Sequence, residues 1–438
     1  MPTMVQGRGV SSPLWIAPAN ALGGSLRLPG DKSISHRYLM LSGVAKGTTE
    51  ITNLAPGADA AATIACMRAL GVEVAPAGDF TVRVAGNGWD GLRTPPVVID
   101  AQNSGTTLRL LSGLLSGRPI TVTITGDESL RRRPMGRVVE PLTAMGARIS
   151  ATNGSAPVSI DGGGLHGIEW RPSVASAQVK SAIMLAALSA TGESSVIEPH
   201  ATRDHSELAF PAFGLECTVS DKTVRVRGGQ EASAPPSGQL SVPGDPSSAA
   251  VWAAAAAGMP DSDITMDGVC LNPRRLGFVE ALRRMGADVR TEVDHLAGGE
   301  TVGAVSVRHG GHASCEITAD QVPDLIDELP VLAARAALGG SLDVSGASEL
   351  RVKESDRITA LVAGLRALGV DADERPDGFA VRGGRPLGGT ADAAGDHRLV
   401  MAFAIVGLGS RNGVTITGAE AVSVSYPGFA ADLARLRR

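Results

Sequence analysis

The chain has 438 residues, more than one hydrophobic core ordinarily organises, so two domains of about 200 residues each are expected. Its 40 Lys and Arg against 45 Asp and Glu leave a formal net charge of −5, which excludes the basic surplus of a nucleic-acid binder. Any anionic ligand must therefore be held by a local cluster of cations. Hydrophobic residues make up 43% but aromatics only 3%, so cores of Val, Leu, Ile, Ala and Met around short turns are expected. Cys66, Cys217, Cys270 and Cys315 stand far apart with no C-x-x-C pair. That pattern indicates neither a disulfide framework nor a metal site, and a reducing, cytoplasmic compartment is expected. The longest apolar run, 249–258, is too short to cross a bilayer, and nothing resembles a signal peptide, so no membrane association is expected. The Gly- and Ser-rich first dozen residues have the composition of a loose lead.

A strand-like segment at 25–28 leads into Pro29-Gly-Asp-Lys-Ser-Ile-Ser-His-Arg37, which opens a helix. A nucleotide-binding P-loop needs G-x-x-x-x-G-K-[ST]; Asp31 interrupts that pattern, so ATP and GTP are disfavoured. The helix start still offers free N–H groups and a positive dipole end, and Ser33 and Arg37 share a face that can grip a carboxylate. A capped helix with a solvated Lys and Arg is the plainer alternative. Asn103-Ser-Gly-Thr-Thr-Leu-Arg109 is a second small-residue turn into a helix, where Gly105 lets backbone approach a ligand and Arg109 lies one turn inside. Arg131, Arg132 and Arg133 precede Pro134, which can start a helix. A planar guanidinium beside a phosphate-binding turn is a bidentate clamp, and Arg133 is preferred for its place directly before the proline.

Ser176-Ala-Gln-Val-Lys-Ser181 brings hydroxyl and amide donors to another helix start, and Thr202-Arg-Asp-His205 adds a phosphate-sized group of donors. After an Ala-, Pro- and Ser-rich stretch at 231–238, Pro243-Gly-Asp-Pro-Ser-Ser repeats the opening motif. The chain is expected to cross between its domains near 28–30 and 242–244. The second half carries Val322-Pro-Asp-Leu325, Leu350-Arg-Val-Lys-Glu-Ser-Asp-Arg357 and Gly395-Asp-His-Arg398. These make the opposing wall of an anion-binding cleft, with an ordinary salt-bridged helix at 351–357 as the alternative.

A helix ending in Gly and followed by a strand recurs along the chain, with glycines at 71, 146, 214, 286 and 369. Each glycine is expected to be a helix C-cap in the left-handed conformation. A sixth helix, 429–437, lacks its glycine and strand, which the segment 25–28 can supply from the other terminus, so six units are implied. Repetition also suits a solenoid. The polar motifs differ from unit to unit, however, which argues for one asymmetric site on a repeated scaffold.

PGDKSISHR, NSGTTLR, RRRPM, SAQVK, VPD, LRVKESDR and GDHR occur in this order across essentially the whole chain, and together they resemble the EPSP synthases, which are enolpyruvyl transferases. The resemblance implies a two-domain inside-out α/β barrel of six βαβαββ repeats, three in each domain. With the crossings above, the domains are 29–242 and 1–28 plus 243–438, with the active site in the cleft between them. It further implies that the 5-hydroxyl of shikimate 3-phosphate adds to C2 of phosphoenolpyruvate and phosphate is then eliminated, with no metal or redox cofactor. A monomer is expected, inhibited by glyphosate in the phosphoenolpyruvate pocket. By the same resemblance Asp324 is the proton acceptor, and Glu354 and Lys32 take part in proton transfer. Phosphoenolpyruvate falls to Lys32, Gly105, Arg133, Gln178, Arg357 and Arg398. Shikimate 3-phosphate falls to Lys32, Ser33, Arg37, Ser176, Ala177, Gln178, Thr202, Asp324 and Lys353, and Arg203 is added for its place beside Thr202.

Three positions depart from the family pattern: Val424 stands where many members have Lys, Glu349 where some have Asn, and Ala177 where a second Ser is common. The related UDP-N-acetylglucosamine enolpyruvyl transferases are expected to carry a reactive Cys in the region of 110–130. Here no Cys lies between Cys66 and Cys217, and Asp31-Lys-Ser33 replaces their Lys-Asn motif. A non-catalytic anion-binding repeat protein is the alternative from a different class.

Overall fold

The computed structural model describes residues 13–438; the loose lead expected over the first dozen residues lies outside the described residues. Residues 99–161 show the repeating unit in full. Strand Ile99–Asp100 leads to helix Gly105–Ser116, strand Thr121–Thr125, helix Gly136–Ala144, and a closing hairpin of Arg148–Thr152 with Ser155–Asp161. The first two strands pair in parallel, and the last strand lies between the second and third, antiparallel to both. The same strand order recurs in 169–227 and 314–382, and six sheets of three or four strands are built in all among the described residues.

The five expected glycine caps adopt φ of +92° at Gly71, +95° at Gly146, +69° at Gly214, +94° at Gly286 and +80° at Gly369. Each closes the end of its helix by the same pair of bonds: Gly71 N–H donates to Arg68 O and Val72 N–H to Met67 O, both at 3.0 Å. Gly369 and Val370 repeat this with Arg366 and Leu365. A side chain at such a φ is strained, so glycine marks each turn from helix to strand.

The first and fourth units exchange their opening strands. Gly23–Arg27, which precedes helix Lys32–Val44 in sequence, pairs in parallel with Asp263–Cys270 in the fourth unit. Gln239–Ser241, which precedes helix Pro246–Gly258, pairs in parallel with Lys46–Thr52 in the first. Leu26 and Leu28 accordingly lie in a core built from 249–436, while Leu240 and Val242 lie in a core built from 34–232. The expectation that 25–28 completes the sixth unit is corrected by this pairing. Leu14–Ile16 instead runs antiparallel to Val414–Thr417 and closes a three-stranded sheet. The link through Pro29 and Gly30 is too short for 25–28 to lie anywhere but beside the crossing.

The cores need few aromatics because their helices pack closely. All thirteen residues of the Ala-rich helix Pro246–Gly258 are buried. A Cβ on Gly113 would stand 2.1 Å from Ala182 O, so helices Gly105–Ser116 and Ala177–Ala187 meet backbone to backbone.

At the crossing the two Pro-Gly-Asp motifs face each other. Gly30 and Gly244 form an antiparallel bridge, Asp31 N–H donates to Pro243 O at 2.8 Å, and Asp245 N–H donates to Pro29 O at 2.9 Å. Asp31 and Asp245 cap their helices by accepting from Ile34 N–H and Ser247 N–H. Buried Arg275 donates to both, at 2.6 Å to Asp31 and 3.0 Å to Asp245. Burial pushes the Asp31 carboxyl up, but Arg275, His205 and the Ile34 N–H together outweigh it and hold the group well below its ordinary value. Removing one partner of a buried pair strands the other as a charge, so Arg275→Ala is expected to cost about 3–5 kcal/mol of stability, read as a lower urea midpoint. The folded pKa of Asp31 is depressed, so its contribution is present above the unfolded value near 3.9 and is lost as pH falls through the folded one. The gap between wild type and Arg275→Ala should therefore shrink below about pH 4.

Candidate active site

The first helix of each of the six units begins at one cavity of about 490 Å³. Its lining includes Lys32 and Ser33, Gly105 and Thr106, Ala177 and Gln178, Asp245 and Ser247, Asp327, and His397 and Arg398, each pair or single residue belonging to one of those helix starts. Five of the six starts are capped by a side-chain oxygen, from Asp31, Ser104, Ser176, Asp245 and Asp396. Helix N-termini concentrate partial positive charge, and the side chains add more. Among the described residues nine Lys and Arg side chains line the cavity against five carboxylates, in a chain whose formal charge is −5. The local balance thus opposes the global one and suits a ligand set carrying several negative charges.

Lys32, Ser33, Gly105, Arg133, Ser176, Ala177, Gln178, Thr202, Arg203, Lys353, Glu354, Arg357 and Arg398 all lie in the lining. Arg131 donates to Gly126 O and Arg132 pairs with Glu128, leaving Arg133 as the member of its triplet at the cavity. Two singled-out residues lie outside the lining. Arg37 stands behind Ser33, donating to Ser33 O at 2.9 Å, Ser181 Oγ at 2.6 Å and Ser206 Oγ at 2.8 Å. Asp324 is half-buried with an unpartnered Oδ1, and burial raises its carboxyl pKa.

Three residues further on, Asp327 occupies the centre of the cation cluster. It pairs with Arg203 at 2.7 Å, Arg357 at 3.3 Å, Arg398 at 3.6 Å and Lys353 at 3.9 Å. Burial works to raise its pKa, but these four cations hold it well below the ordinary carboxylate value. Glu354 is governed in the same way: burial is outweighed by Arg357, then Arg133, His397 and Lys32, so it too is held well below its ordinary value. Glu354 contacts Arg357 directly and lies 3.6 Å from Arg133. Lys32 Nζ sits 2.7 Å from Asp59, and burial, which lowers the ammonium's pKa, is outweighed by Asp59 and Glu354 together, so the pKa is raised. Arg109 donates to Gln178 Oε1 at 2.7 Å while Gln178 Nε2 donates to Thr106 at 2.9 Å, which fixes the amide over the helix start.

Sequence reasoning missed Asp59, Arg137, Arg275, Asp327 and His397. Asp327 carried a usable signal, since it directly precedes a helix start as the other lining residues do. Asp59 carried none: it lies in an Ala-rich helix, and only the fold brings it to Lys32.

Residues 16–433 match the sequence profile of the family described as EPSP synthase (3-phosphoshikimate 1-carboxyvinyltransferase). The chain belongs to the EPSP synthase family. Similar proteins include the 3-phosphoshikimate 1-carboxyvinyltransferases of a Synechococcus species, 46% identical over 97% of this chain and 96% of that one, and of Desulforamulus reducens, 44% identical over 95% and 97%. An EPSP synthase structure from Acinetobacter baumannii superposes with a TM-score of 0.87 at 39% identity, covering 98% of both chains. These relatives favour enolpyruvyl transfer to shikimate 3-phosphate over transfer to a sugar nucleotide. Among the described residues no helix is long and apolar enough to cross a membrane.

Two histidines give the site a pH signature. His36, bonded to Thr63 behind Lys32, and His397 in the lining are each pushed down to about 4 by burial. A depressed histidine pKa means the unfolded chain binds protons that the folded one refuses. Stability should therefore fall as pH drops from about 6.5 toward 4, by roughly 1–2 kcal/mol per pH unit when both contribute. Urea titrations at pH 7, 6 and 5 measure the slope, and His397→Asn should flatten it.

Proposed function

We propose that this chain transfers the enolpyruvyl group of phosphoenolpyruvate to the 5-hydroxyl of shikimate 3-phosphate, at the cavity where the six helix starts meet. The observation that carries this reading is the cation surplus around that cavity, set against two substrates that bring two carboxylates and two phosphates. The working division is 29–242 and 1–28 plus 243–438, with substrates binding between the two parts and closure excluding water before chemistry. A cytoplasmic monomer is the working state.

In the reaction the 5-hydroxyl oxygen bonds to C2 of phosphoenolpyruvate while its proton passes to a base and C3 gains a proton from an acid. The C2–O bond to phosphate then breaks, C3 gives up a proton, and the enol ether and phosphate leave. We assign the base to Asp327, because it lines the cavity beside Arg203 and Lys353 whereas Asp324 does not. Glu354 and Lys32 serve proton transfer at C3. Lys32, Gly105, Arg133, Gln178, Arg357 and Arg398 take phosphoenolpyruvate. Ser33, Ser176, Ala177, Gln178, Thr202, Arg203 and Lys353 take shikimate 3-phosphate, with Arg37 bracing Ser33 from behind.

Ligand binding would change the role of these acids. Asp327 and Glu354 are ionised because cations crowd them. Substrate phosphates and carboxylates draw the same cations away, so both pKa values rise on binding and each carboxylate becomes a better proton acceptor.

Phosphate release should require both substrates and should be lost when either is omitted. Asp327→Asn is expected to reduce kcat by about 10²–10⁴, the usual worth of a positioned base, while Asp324→Asn should stay within about tenfold of wild type. The reverse ranking would return the role to Asp324.

Glyphosate, expected in the phosphoenolpyruvate pocket, should inhibit. A Cβ on Gly105 would stand 2.7 Å from Arg109 Nη1 and 3.3 Å from Arg133 Nη1, contacts that flexible side chains can relieve. Gly105→Ala should accordingly fold normally, raise KM for phosphoenolpyruvate and weaken glyphosate inhibition. A turning-over enzyme indifferent to millimolar glyphosate would sink this part of the reading.

A further inference from the structure

Apart from the crossing, where Arg275–Asp31 and His205–Glu300 lie, three ion pairs join the two halves of the chain among the described residues. Two of them, Arg133–Glu354 and Arg203–Asp327, are made by groups that the proposed reaction uses, and both must loosen when substrate anions arrive. The third is Arg137–Glu349. Its guanidinium and carboxylate meet fork to fork, Nη1 to Oε2 at 2.8 Å and Nη2 to Oε1 at 2.9 Å. The side chains are 41% and 33% exposed and yet line the cavity, which places the pair at its rim.

The position of each residue in its own half gives the pair leverage. Arg137 lies four residues beyond Arg133, in the first turn of helix Gly136–Ala144. Glu349 lies in the turn Ser348–Val352 that runs directly into Lys353 and Glu354. The pair therefore ties the base of the segment carrying Arg133 to the base of the segment carrying Glu354. Other charges face it as well: Lys353 and Arg109 act on Glu349, and together with the Arg137 bond they hold its carboxyl below the ordinary value. Glu349 is thus charged throughout the neutral range and available to its partner.

We propose that Arg137 and Glu349 form a latch that keeps the cleft closed at its rim over bound substrates, as positioning residues outside the substrate-binding set. The latch deepens the proposed enolpyruvyl transfer, on which its kinetic readout rests. Closure held by the inner pairs alone would weaken as substrates displace them. A bidentate pair that substrates leave intact keeps the spacing of Arg133 and Glu354 at the time of reaction.

The test compares Arg137→Ala, Glu349→Ala and the Arg137→Glu/Glu349→Arg double variant with wild type. An exposed ion pair shifts a closure equilibrium modestly, so each single variant should raise KM for both substrates about three- to fivefold and change kcat less than about twofold. The charge swap should return KM to within about twofold of wild type. The ratio of variant to wild-type KM should shrink as salt rises, since screening weakens the pair in wild type. Small-angle scattering of the unliganded proteins gives a readout independent of turnover: the single variants should show a larger radius of gyration at low salt, and the swap should not. Wild-type KM and wild-type radius in both single variants would overturn the latch, as would a swap no better than either single change. A wild-type enzyme that releases no phosphate with both substrates would overturn the reaction, and the scattering would still decide the latch.

Discussion

Six helix starts that converge on one cavity repel one another, and the rest of the site follows from how that positive charge is balanced. Much of the balance comes from the protein's own carboxylates. Asp59 takes Lys32, Asp327 gathers Arg203, Lys353, Arg357 and Arg398, and Glu354 holds Arg357 and approaches Arg133. Two of these acids are also the groups to which we assign proton transfer. In that assignment the counter-ion and the catalytic acid or base are one residue, and substrate anions would decide which part it plays by competing for its partners.

Such a convergence needs the two halves to be held in register, and the double crossing supplies this. Because the first and fourth units exchange opening strands, neither sheet is complete without the other half. Arg275 then fixes the first helix of one half to the first helix of the other through the two cap aspartates. The same two aspartates that cap the helices are therefore the ligands that align them.

Most of the scaffold was legible in the sequence because local chemistry dictates it. A glycine after each amphipathic helix announces a left-handed cap, and Ser, Asp and Gly at helix starts announce exposed N–H groups; both are decided within a few residues. What the sequence withheld was pairing at a distance. Strand 25–28 matched the missing piece of the sixth unit in character, yet the chain's crossing sends it to the fourth, and Leu14–Ile16 takes the vacant edge. Asp324 and Asp327 are the same residue type three positions apart, and no local pattern says which of them reaches the cavity lining. Asp59 and Arg137 have partners 27 and 212 residues away along the chain, and no local pattern records that.

The departures from the family pattern acquire a physical meaning in this frame. Val424 brings no charge to the cavity, and its carbonyl rests where a Cβ on Gly57 would be 2.0 Å away, at the start of the helix that carries Asp59. Glu349 brings a negative charge to the lining, and Arg137 neutralises it from the opposite half. Relative to a Lys and an Asn at these positions, the lining is two charges less positive, yet both residues make contacts that run between the halves. A less positive cavity repels itself less. If the latch holds, contact between the halves at Arg137 and Glu349 does part of the work that bound anions do deeper in the site.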